Sequence, residues 1–76
     1  MRLWSDSREA GFEAGRYFAR YSDNVKDSKT GDWCFTLTKG GREVFRMTNA
    51  ELLAIASEET PIGMLMAGMT TYMASH

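Results

Sequence analysis

β-Branched and aromatic residues alternate with polar ones on both sides of Lys39-Gly40-Gly41, the pattern of a β-hairpin spanning 33–47. A two-residue Gly40-Gly41 turn would set Phe35 opposite Arg46 and Cys34 opposite Met47. A three-residue loop from Lys39 to Gly41, with Gly41 left-handed, sets Phe35 opposite Phe45 and Trp33 opposite Met47. A one-residue slip exchanges the two faces of a strand, so the register that segregates apolar residues is expected. That register is the second. Trp33, Phe35, Phe45 and Met47 then share an apolar face, with Leu37 at its end beside Glu43. Cys34, Thr36, Thr38, Arg42, Val44 and Arg46 form the wetter face. A lone hairpin is marginal in water, so helices or another chain must cover the apolar face.

Upstream, the pattern reads as helical. Glu9, Glu13, Arg16 and Arg20 make a charged stripe at steps of four, three and four. Gly11, Ala14, Gly15, Phe18 and Tyr21 lie opposite, with Phe12 and Ala19 at the edge. This predicts an amphipathic helix over 7–21, opened by Asp6 with Glu9 three residues on. Leu3 and Trp4, in the N-terminal segment 1–5, suit an edge strand or packing on a helix. Residues 22–32 are polar and turn-rich and read as a loop.

Downstream, Thr48-Asn49-Ala50-Glu51 fits a capping box, with Met47 and Leu52 as a hydrophobic staple. A helix over 49–57 should bury Leu52, Ile55 and Ala56. Thr60 and Pro61 then fit the cap and first residue of a helix over 61–74. Its large residues, Ile62, Leu65, Met66, Met69, Tyr72 and Met73, form a broad stripe. Small residues line the neighbouring stripe, and no polar face remains. A helix apolar nearly all round is buried nearly all round. The expected fold is therefore a small α+β domain over 1–76, order α-β-β-α-α, with helices packed on one face of the antiparallel hairpin.

Seventy-six residues can bury only a thin core, and domains of this size often lean on disulfides, a metal or a second chain. One cysteine rules out an internal disulfide, and one histidine at position 76 rules out a His/Cys metal cluster. Association remains as the reinforcement. The last helix is the expected self-association surface, through Ile62, Leu65, Met66, Met69, Tyr72 and Met73, as a homodimer.

The formal net charge of −1 argues against a general polyanion binder. All nine basic residues lie in 1–46, and no charged residue lies between Pro61 and His76. The opening Met1-Arg2-Leu3-Trp4-Ser5-Asp6 has no apolar run of the secretory kind. The uncharged C-terminal stretch is shorter than the roughly 20 apolar residues of a membrane span. A cytoplasmic location is expected, with no membrane partner.

Catalysis needs a positioned acid, base or nucleophile, and none is recognisable. Cys34 sits in a strand with no histidine nearby in sequence, which describes an inert thiol. Asp23, Asp27 and Asp32 lack the alternation of a calcium loop. Lys29-Thr30-Gly31 lacks the glycines of a phosphate loop. The expectation is no enzyme, with no catalytic, cofactor or metal residue.

Residues 48–73 resemble a helix-turn-helix in layout, with Ala54 where a small residue is often needed. A recognition helix reads bases with Arg, Lys, Asn or Gln, and 61–76 has none. The expected function is a small cytoplasmic interaction protein that self-associates and binds or inhibits another protein. Its partner surface is expected at Arg16, Arg20, Lys39, Arg42 and Arg46. Small cofactor-free proteins of this kind are frequent in phages and mobile elements. The alternative is a small dimeric DNA-binding regulator that uses the basic hairpin on nucleic acid.

Overall fold

The computed structural model describes residues 1–23 and 33–76. The expectations placed on Asp27, Asp32 and Lys29-Thr30-Gly31 lie outside the described residues. Five strands precede two helices: β1 (Arg2–Ser5), β2 (Glu9–Ala14), β3 (Tyr17–Ser22), β4 (Trp33–Lys39), β5 (Arg42–Thr48), α1 (Asn49–Leu53) and α2 (Pro61–Ser75). The strands form one antiparallel sheet in the order β1-β2-β3-β4-β5. The chain is thus α+β, but strand-first rather than α-β-β-α-α.

The expected helix over 7–21 is instead the β2–β3 hairpin. Ala10 pairs with Tyr21, Phe12 with Ala19 and Ala14 with Tyr17; these residues share the inward face, and all but Ala14 lie in or against the core. The sequence therefore carries a period of two that breaks at Gly15-Arg16, where Gly15 turns the chain at φ 58°. A spacing of four satisfies a strand as well as a helix, because four is even. Only the step of three, from Glu13 to Arg16, distinguishes them, and it spans the turn. The segment 1–5 contributes β1, paired with β2 as Leu3 to Phe12 and Trp4 to Gly11.

A carboxylate fixes the β1–β2 turn. Asp6 Oδ1 accepts from the backbone N–H groups of Arg8 and Glu9, both at 2.9 Å. These bonds, Arg8's first, hold the Asp6 carboxyl below the usual carboxylate range. A depressed folded pKa contributes stability that is complete above the unfolded pKa and is lost as pH falls through the folded one. Asp6→Ala should therefore be less stable than wild type at neutral pH. The gap should narrow below about pH 4. Urea unfolding at several pH values checks this; a gap independent of pH would assign the loss to something other than the carboxylate.

The β4–β5 hairpin corrects the expected register. Lys39 pairs with Arg42 and Thr38 with Glu43, so the turn is the two-residue Gly40-Gly41, at φ 61° and 81°. Both angles are left-handed, which suits a turn twisted like its strands. The register then shifts, and Leu37 pairs with Phe45, Thr36 with Arg46 and Phe35 with Met47. Val44 is the extra residue of a bulge. One inserted residue reconciles the tight turn with the segregated apolar face. Leu37 consequently lies opposite Phe45, not Glu43, and is fully buried. A second shift falls between Trp33 and Phe35. Cys34 lies there and is buried rather than on a wet face.

Thr48 caps α1 as expected. Its hydroxyl accepts from Glu51 N at 3.2 Å, and Glu51 Oε1 accepts from Thr48 N at 2.9 Å. The helix stops at Leu53, short of 57; Leu52 is fully buried, Ala56 packs partly buried against the core from beyond the helix, and Ile55 stays half exposed. Thr60 Oγ1 accepts from Gly63 N at 3.1 Å to cap α2, whose first residue is Pro61.

α2 lies across the inward face of β2 and β3 and touches β4 and β5. It buries Gly63, Met64, Leu65, Ala67 and Gly68, so one face meets the sheet and the helix is not buried all round. Phe35, Leu37, Leu52, Met64 and Leu65 are the largest fully buried side chains. Gly68 sits directly over the Phe35 ring. No helix among the described residues is long and apolar enough to cross a membrane.

Candidate interaction site

With α2 on one side, the sheet's other face has no layer over it among the described residues. The pairings place two cross-strand rows there. One runs Trp4, Gly11, Arg20, Thr36, Arg46; the other runs Arg2, Glu13, Phe18, Thr38, Glu43. Trp4 lies flat across Gly11, where any Cβ would collide with the indole. The indole reaches Phe18 with ring centroids 5.8 Å apart, and the Arg2 guanidinium sits 4.9 Å over it. An aromatic covering a strand glycine from the neighbouring strand is a known way to fill that gap. Phe18 remains 37% exposed, so the aromatic patch is open to a partner.

Two of the guanidinium groups on this face, those of Arg20 and Arg46, have carboxylate neighbours. Arg20 Nη2 lies 3.1 Å from Glu9 Oε2, and Arg46 Nη1 lies 3.9 Å from Glu43 Oε2. Exposed pairs of this kind contribute about 0–1 kcal/mol, so their effect on folding is small. Their effect on recognition is larger. The face alternates in charge instead of presenting a uniform positive field.

The structure splits the five expected partner-binding residues into two groups. Arg20 and Arg46 flank Thr36 in one row of the open face. Arg16, Lys39 and Arg42 gather at one end of the sheet, where the β2–β3 and β4–β5 turns adjoin through the Gly40 N to Arg16 O bond of 2.9 Å. The Lys39 ammonium lies 5.4 Å over the Tyr17 ring. Trp4, Phe18 and Arg2 are absent from the expected set. Their signal was the pairing of Trp4 with a strand glycine, which a helical reading of 7–21 hides.

The six expected self-association residues also divide. Leu65 is fully buried, and Ile62, Met69 and Tyr72 are partly buried against the core. Met66 and Met73 are 54% and 71% exposed. They border an apolar groove between α2 and β1, lined by Leu3, Phe12, Leu65, Met66, Met69 and Met73. Met66 also borders a second hollow with Ile55 and Ala56, which extends the apolar flank toward α1.

A hollow of about 350 Å³ lies between the end of α2 and strands β2 and β3, lined by residues that include Tyr17, Tyr72 and His76. Tyr72 stacks on His76 at 4.5 Å and meets Tyr17 edge-on at 6.4 Å. Desolvation and then the Tyr17 hydroxyl raise the Tyr72 phenol's pKa, against a lowering pull from Lys39. A phenol held protonated is a hydrogen-bond donor, not a base. Among the described residues, no group of three or more His, Cys, Asp or Glu is placed to hold a metal ion.

Comparison with protein-family models, curated proteins and solved structures finds no match for this chain.

Proposed function

We propose that this is a non-enzymatic cytoplasmic interaction protein that pairs with a second copy along the exposed flank of α2 and binds or inhibits another protein with its open sheet face. The observation that carries this reading is the composition of that face. It has an aromatic patch at Trp4 and Phe18 with Arg2 over it, threonines at its centre, and two further guanidinium groups, of Arg20 and Arg46, beside glutamates. A protein surface with its own mixed charges can match such a pattern. A phosphate backbone would meet Glu9, Glu13 and Glu43 on the same face as the arginines.

A second reading has one observation in its favour. Arg16, Lys39 and Arg42 converge at the two turns, as a dimeric DNA-binding regulator with a basic hairpin would need. Two experiments separate the readings. A tagged copy recovered from its native cell should bring down a protein, and Trp4→Ala with Arg20→Glu should lose that protein while staying folded. Duplex DNA should give no gel shift at micromolar protein. A shift that falls steeply with salt, together with retention of the captured protein by the variant, would reverse the assignment.

A further inference from the structure

β1 forms one edge of the sheet, and the hydrogen-bond phase shows which of its groups point outward. Asp6 N donates to Glu9 O at 2.8 Å. Opposed residues in an antiparallel pair alternate between bonded and non-bonded. Counting along the register from that bond, Trp4–Gly11 and Arg2–Glu13 are bonded pairs, whereas Leu3–Phe12 and Ser5–Ala10 are not. The next ladder agrees. Asp23 N donates to Arg8 O at 3.1 Å, which makes Ala10 and Phe12 bond to β3 and leaves Glu9, Gly11 and Glu13 for β1. Leu3 and Ser5 therefore direct their backbone N–H and C=O groups away from the sheet.

We infer that this edge pairs with β1 of a second copy, antiparallel, about a two-fold axis at Leu3, joining two five-stranded sheets into one. The inference rests on the self-association proposed above and specifies its geometry. Three features select a second copy as the occupant. First, Leu3 is an outward-bonding residue, so an axis there makes Leu3 opposite Leu3 a closely bonded pair, which a two-fold axis permits. Second, this register sets Arg2 of each copy opposite Trp4 of the other on the open face. Arg2 already lies over an indole there, 4.9 Å from its centroid. Third, Leu3 points to the helix side, where it is 59% exposed beside Met66 and Met73. A bare strand from elsewhere would leave that groove open. A second copy brings its own Leu3, Met66 and Met73 to close it. β1 is short and carries Arg2, but it contains no proline, no lysine and no bulge to block a further strand.

The test uses the full chain and two variants. Light scattering over a wide concentration range should show a wild-type dimer. Leu3→Pro removes an N–H that bonds nothing within its own sheet. It should weaken the dimer by about 10–100-fold, as expected for the lost bonds and side-chain contact. Leu3→Cys should cross-link rapidly under mild oxidation, because a bonded antiparallel pair holds its Cα atoms about 5.5 Å apart, within disulfide reach. Wild type supplies the control, since its Cys34 is buried. A dimer that survives Leu3→Pro, with no cross-link at Leu3→Cys, would overturn the edge pairing and leave self-association standing. A wild-type monomer at every concentration would overturn both.

Discussion

Alanine at Gly68 should destabilise the protein by about 1–3 kcal/mol, the usual cost of overpacking a filled core. Helix propensity points the other way, since alanine is favoured over glycine by about 1 kcal/mol in a helix interior. Packing should win because of where the methyl group would go. A Cβ at Gly68 would lie 2.6 Å from the Phe35 ring, well inside contact distance. Phe35 is fully buried between α2 and the sheet and has no exposed end to swing away. The helix would have to lift from the strands, loosening Met64 and Leu65 on the same face. Chemical denaturation of the variant measures the sign directly. A midpoint equal to or above wild type would show that the ring can move aside, and that α2 is not tightly seated on Phe35.

Phe35→Ala should cost about 3–5 kcal/mol, the range for truncating a buried aromatic. A domain of this length has a total stability of about 4–11 kcal/mol, so the variant should be marginal at room temperature. The ring meets Phe45 edge-on, with centroids 6.3 Å apart, and fills the space beneath Gly68. Its removal opens a cavity that a helix held by neighbouring contacts cannot fully collapse into. Thermal unfolding followed by circular dichroism checks the loss. Because the two residues touch, their effects should not add. Phe35→Leu with Gly68→Ala should cost less than the two single changes together. Strict additivity would mean that the predicted clash is not what makes Gly68→Ala costly.

The parts of the fold legible in the sequence were those carried by specific local chemistry. Thr48 with Glu51, and Thr60 with Pro61, fix both helix starts, and the structure places caps at those residues. The alternation around Gly40-Gly41 marked the β4–β5 hairpin. Its bulge was not legible, because a bulge at Val44 is a compromise between turn geometry and face segregation. Sequence spacing alone presents those two demands as alternatives. The β2–β3 hairpin reads as a helix for a different reason. Its inward positions include Ala10, Ala14 and Ala19, and alanine is the strongest helix former. Alanine suits these positions because α2 must approach the sheet closely. That requirement belongs to the tertiary structure and leaves no mark on local periodicity.

The expected surfaces follow from the helical reading of 7–21. Arg16 and Arg20 read as one helical stripe, whereas Arg20 lies on the open face of β3 and Arg16 lies in the β2–β3 turn. The apolar character of α2 was legible, but which side of it meets the sheet was not. The small residues Gly63, Ala67 and Gly68 face inward with Met64 and Leu65, and this leaves Met66 and Met73 outside.

In chain order, α2 follows every strand that it covers. During synthesis the meander can pair hairpin by hairpin as it leaves the ribosome, since each strand's neighbour has just emerged. At about 5–20 residues per second, several further residues must be polymerised before the covering helix is available. For that interval the nascent sheet presents Phe35, Leu37 and Met47 to solvent. A holdase should therefore engage stalled chains whose emerged part ends near Thr60 more strongly than chains that have released the whole of α2.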